Sequence, residues 1–159
     1  MTGDLSVDEF AAFFRYVHAW SEDRGWASAD DGRDPFPWQV RLLRDWVAGP
    51  KGWPPVLDLP TGSGKTAALD VAVFHLAMEA GKGEGRRAPV RIAFVVDRRL
   101  IVDDAYARAK RIEQVLAAAA LSPTAPEVLR KVAVRLRHFA ECGERPLLAR
   151  RLRGGVPRE

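Results

Sequence analysis

The chain has 159 residues, 47% of them apolar, with five Trp and seven Phe, which excludes an intrinsically disordered protein and provides bulk for one domain core. A single cysteine, Cys142, excludes an internal disulfide framework, and the acidic, mixed start MTGDLSVDEF does not read as a secretory leader, so a reducing, cytoplasmic setting is expected. The net charge of +4 is uneven: residues 123–159 hold nine Lys/Arg against four Asp/Glu, a pattern that suits either contact with phosphates or a solvated helix face.

In chain order, SVDE at 6–9 is a capping box, with Ser6 as the cap and Glu9 three positions on. Phe10, Phe13, Phe14, Val17 and Trp20 then recur at helical spacing and predict one apolar face. Residues 21–34, rich in Asp, Ser and Gly, read as a loop, and residues 1–34 as an N-terminal helix-and-loop unit ahead of a second unit at 35–159. A second helix is predicted from Pro37, with Trp38, Leu42 and Trp46 on one side, ending at GPKGWPP. Val56 to Leu59 reads as a short buried strand, Lys65 to about Ala80 as a helix, and VRIAFVV at 90–96 as the best strand in the chain. A long Ala-rich helix is predicted from about Ile101 to Ala120, followed by one capped by Thr124 and Glu127 with Leu129, Val132, Leu136 and Phe139 inward. The segment PLLARRLRGG at 146–155 suits helix or strand. This alternation of strands and helices predicts an α/β fold with a parallel sheet. The longest clean apolar run, VLAAAAL at 115–121, falls far short of a membrane span, so no membrane partner is expected.

The chemistry concentrates in LPTGSGKT at 59–66, which fits the phosphate-binding pattern G-x-x-x-x-G-K-[ST] except that Leu59 stands at its first position. Gly62 and Gly64 lack a Cβ, so the backbone around Thr61 and Ser63 can curl and present amides to phosphate oxygens. The start of the next helix adds partial positive charge. Lys65 can reach the outer phosphates of ATP, and the Thr66 hydroxyl can ligate its Mg²⁺. A chance match of this length is on the order of one in a hundred for ordinary Gly and Lys frequencies.

TGSGKT, together with PFPWQ at 35–39, resembles motif I and the Q motif of superfamily 2 DEAD/DEAH-box-like helicases. That resemblance implies that Gln39 reads the adenine edge through its amide; taken alone, Gln39 is an exposed helix residue. Phe36 or Trp38 could stack on the base, and Trp38 is as readily a core residue. IAFVVDRRLIVDDA at 92–105 falls where motif Ia belongs, which implies contact of Arg98 and Arg99 with single-stranded nucleic acid, although Asp97-Arg98 replaces the usual Pro-Thr. The set PFPWQ, LDLPTGSGKT, FVVDRRLIVD and LRGG is similar to the N-terminal part of the helicase–nuclease of type I CRISPR systems, subtype U or G. That similarity implies a three-layer RecA-like fold, ATP and Mg²⁺ as cofactors, and single-stranded DNA (RNA not excluded) as partner. A CRISPR surveillance complex is a further implied partner. Gly154 and Gly155 match a glycine pair between motifs Ia and Ib of related helicases, which favours a strand at 146–152.

No apolar strand ending in Asp-Glu follows residue 66, and VDEF at 7–10 precedes the loop on a capped helix. His18, His75 and His138 are scattered, and none precedes Asp as an HD nuclease requires. The expectation is therefore an incomplete RecA-like domain, the first half of a first motor domain, that binds ATP without turning it over. Two other readings stand beside it: another P-loop class such as a kinase or AAA-type ATPase, and a non-catalytic nucleic-acid-binding module.

Overall fold

Ser6 caps the chain's first helix as its sequence demands. Its Oγ accepts a hydrogen bond from the Asp8 amide, and Glu9 Oε2 accepts one from the Ser6 amide at 2.9 Å. In this computed structural model, which describes residues 3–26, 28–96, 99–139 and 145–152, that cap opens a 3₁₀ turn, Val7–Glu9, leading into α1, Phe10–Ala19. α2 is Pro37–Arg41 and continues as a π turn, Leu42–Val47. A 3₁₀ turn, Lys65–Ala67, leads into α3, Ala68–Met78; α4 is Arg99–Leu121 and α5 is Glu127–Arg137.

α3 holds the centre. Its sequence, ALDVAVFHLAM, is apolar almost all round, and a helix of that kind must be covered on every side. Phe74 projects from it into Phe10 and Phe13 of α1, with ring centroids 5.5 and 5.2 Å away. Ile112, Val115 and Leu116 of α4 and Leu129, Val132 and Leu136 of α5 complete the same core, joined by Leu42, Leu43 and Val47 from the π turn. Ion pairs fasten the margins: Arg44 to Asp8, Lys131 to Glu9 and Arg135 to Asp4. Arg135 also donates to the carbonyls of Ala77 and Met78, satisfying acceptors left open at the end of α3.

The α/β expectation is overturned. Among the described residues the regular structure is helical, and the β pairing consists of one isolated bridge, Ser21 with Gly25. Those described residues form no parallel sheet and no three-layer RecA-like arrangement. Residues 56–59, 90–96 and the described 145–152 follow irregular paths in place of the strands expected there. The reason is that a strand exists only by pairing, and its propensity measures fit to neighbours more than any preference of its own backbone. Here the helices close the core among themselves and these runs stay at its edge: Ile92 and Leu147 pack against it half-buried, while Val56 is 74% and Val95 89% exposed.

Two smaller expectations also change. α5 begins at Glu127 behind Pro126, with no side-chain cap, because Thr124 Oγ1 pairs with Ser122 Oγ at 3.0 Å. Trp46 is turned partly to solvent, since the π turn's wider i→i+5 winding moves the inward register to Leu43 and Val47. Gly154 and Gly155 lie outside the described residues.

If α3 is the hub, Phe74→Ala should cost about 3–5 kcal/mol of unfolding free energy, while Val95→Ser should stay within about 0.5 kcal/mol. Urea unfolding followed by tryptophan fluorescence measures both.

Candidate phosphate-binding loop

The turn at 59–66 closes on itself before it meets α3. The Ser63 amide and Oγ both donate to the Pro60 carbonyl, at 3.4 and 2.7 Å. Gly62 and Gly64 then take left-handed conformations, φ +81° and +73°, which a side chain would resist. Gly64 is the N-cap of the helical run, and its carbonyl accepts from the Ala67 amide at 3.0 Å. Within the described turn, the amides of Gly62, Gly64, Lys65 and Thr66 donate no backbone hydrogen bond. Lys65 is exposed, Thr66 half-buried, and neither makes a side-chain hydrogen bond or ion pair among the described residues. Free amides, a helix start and an unpaired ammonium thus share one turn, which is what an anion needs.

The start of α2 packs against this turn. Trp38 Nε1 donates to the Ser63 carbonyl at 2.7 Å, and Gln39 Nε2 donates to the Gly64 carbonyl at 3.2 Å. Gln39 Oε1 accepts from the Phe36 amide at 2.9 Å, so both ends of the Gln39 amide are engaged inside the protein and the residue is buried. The Phe36 ring lies over Gly64; a Cβ there would stand 3.0 Å from it. Thr61, Gly62, Ser63, Gly64, Lys65 and Thr66 are therefore one turn with Gln39 behind it. Arg98 lies outside the described residues, as does the side chain of Arg99, which begins α4.

Sequence reasoning missed a polar cluster one turn further along. Asp70 is wholly buried; its Oδ1 lies 2.8 Å from His18 Nε2 and its Oδ2 accepts from Arg108 Nε. Arg108 also sits over the Phe14 ring at 5.4 Å. The cluster ties α1 and α4 to α3, the helix that the Lys65 turn leads into. A signal for it was present: Asp70 is the one charged residue in ALDVAVFHLAM, and such a residue must find partners when its helix is buried.

At the other end of α3, about 20 Å away along the helix, a cavity of about 370 Å³ is lined by His75, Glu79, Lys82, Arg135 and Asp4 among others. It is separate from the turn at 59–66. Glu79 accepts from the amides of Arg87 and Ala88 and from Lys82, pinning the 81–88 loop onto the helix. Burial alone would raise its pKa, but the Arg87 and Ala88 amides and the Lys82 ammonium outweigh it and hold it down at about 2. The pKa of His75 is also lowered from its ordinary value, but by burial, which disfavours its charged form despite the Glu79 carboxylate 3.5 Å away.

Compared with protein-family profiles, with curated proteins and with solved structures, the chain matches none. No described helix is long and apolar enough to cross a membrane, and no group of three His, Cys, Asp or Glu side chains among the described residues could hold a metal ion. The basic C-terminal stretch is partly neutralised from within: Lys131, Arg135, Arg145 and Arg151 each meet a carboxylate.

Acid should unfasten the far end of α3 in two stages. The folded-state pKa of His75 lies below its unfolded value of 6.5, so stability is full above that value and falls as the pH drops beneath it. Glu79 contributes stability above its unfolded value of 4.5, lost as the pH falls toward about 2. Urea titrations across that range should show His75→Leu flattening the upper part of the slope and Glu79→Gln the lower part.

Proposed function

We propose that residues 59–66 bind the triphosphate of Mg·ATP and that the chain belongs to an ATP-dependent helicase or translocase acting on single-stranded DNA in type I CRISPR interference. The observation that carries the nucleotide part is the turn itself. Two left-handed glycines, unpartnered amides and the free Lys65 ammonium meet at the start of a helix. The residues present fit the anion, and they fit Mg²⁺ to the extent of one protein ligand, the Thr66 hydroxyl, the other ligands being phosphate oxygens and water. When bound, the ion would neutralise phosphate charge; Lys65 shares that task as a point charge. The helicase part is supported by the motif resemblance of residues 35–103, and the helical fold lends it no argument.

Binding without turnover is the expected behaviour of this chain. Asp70, the nearest carboxylate along the helix after Thr66, is locked to His18 and Arg108 inside the core and is not free to orient a water molecule. Calorimetry with Mg·ATP should give binding that Lys65→Ala weakens about 10- to 100-fold, the loss of charge-assisted hydrogen bonds. A phosphate-release assay should give no sustained hydrolysis with or without single-stranded DNA. Absence of Mg·ATP binding at millimolar concentration by folded protein would remove the proposal.

A further inference from the structure

We propose that Trp38 and Gln39 are positioning residues for the phosphate loop: by holding the carbonyls of Ser63 and Gly64, they aim the next two amides, Gly64 N–H and Lys65 N–H, at the anion. The inference rests on the phosphate-binding reading above and adds to it the device that prepares the loop.

The argument starts from the peptide plane. In a trans peptide the carbonyl of one residue and the N–H of the next point in opposite directions, and among the described residues no peptide bond is cis. The Ser63 carbonyl is held by Trp38 Nε1 at 2.7 Å, so the Gly64 N–H points away from α2. The Gly64 carbonyl is held by Gln39 Nε2 at 3.2 Å and by the Ala67 amide at 3.0 Å, so the Lys65 N–H also points away, out from the helix start. Neither of these N–H groups has a backbone partner within the described turn. Two consecutive peptide dipoles therefore face the same way because two side chains of one short helix grip their oxygens.

An external grip is needed here. Glycine at 62 and 64 lets the intervening planes turn over at little cost, and a turned plane would present a carbonyl oxygen to the phosphate instead of an N–H. Gln39 is 1% exposed and holds both Phe36 N and Gly64 O, so its amide is enclosed against the loop. Its role in this geometry is toward the loop and not toward adenine.

The test uses a ligand that has no base. Affinities of the full chain for Mg·ATP and for inorganic tripolyphosphate with Mg²⁺ are measured by calorimetry for wild type, Trp38→Phe and Gln39→Leu. Trp38→Phe keeps an aromatic ring and removes only the N–H donor. The expected result is a loss of about 3- to 10-fold, that of one hydrogen bond, equal for both ligands in each variant. Amide NMR supplies a second readout, since the Gly64 and Lys65 resonances should move on adding tripolyphosphate to wild type and move less in Trp38→Phe. A loss confined to ATP would mean that these side chains read the base, and unchanged affinities would mean that they do not set the loop; either result overturns the proposal. Wild type that binds neither ligand is a different failure, because then the phosphate-binding reading falls and takes this inference with it.

Discussion

α3 has to be covered on every side, and most of the molecule follows from how that is done. Its apolar residues draw α1, α4, α5 and the π turn after α2 into contact. Its buried carboxylate and the one just past its end are costly to leave unpaired at that depth, and each recruits partners from elsewhere in the chain. Asp70 takes His18 and Arg108, and Glu79, just past the helix end, takes two backbone amides and a lysine. The candidate phosphate loop at 59–66 is the entrance to this same helix. Its position is thus fixed by the core behind it and by Trp38 and Gln39 beside it.

Helices were legible where one-sided periodicity or a cap announced them. The Ser6–Glu9 box and the Phe10, Phe13, Phe14, Val17 face stand as their spacing demands, and the long Ala-rich run is a helix two residues longer at its start. The strands were not legible, because Val56–Leu59 and VRIAFVV carry strand composition without the partners that would make a ladder. The π turn was hidden for another reason. It inserts one residue into the winding, and no residue type in LLRDWV signals that insertion. The loop at 59–66 was the most readable part, since Gly at 62 and 64 is required by backbone angles that can be named in advance. What sequence missed there was the direction of Gln39, whose amide turns inward because Gly64 and Phe36 lie within its reach.

Buried carboxylates do a second kind of work in this chain. Glu79 draws residues 87 and 88 onto α3, and Glu113 of α4 draws Ala149 and Arg145 onto its own flank. In each case an irregular segment is anchored by its backbone N–H, as a strand would be by a neighbouring strand. Glu113, like Glu79, is held below its ordinary pKa: burial opposes this, while Lys110 and the Ala149 amide prevail. Such anchors grip at single points and leave the adjoining backbone without a ladder.

For VRIAFVV that freedom has a consequence in crowded solution. A run of seven residues with one charge and no proline or glycine has the composition of segments that stack into cross-β fibrils. Its neighbours act as gatekeepers: Arg86, Arg87 and Pro89 stand before it, Asp97, Arg98 and Arg99 after it, and Arg91 interrupts it. Colloidal behaviour is thereby tied to like-charge repulsion at the flanks of one short run, and raising the ionic strength screens the barrier that keeps separate molecules apart.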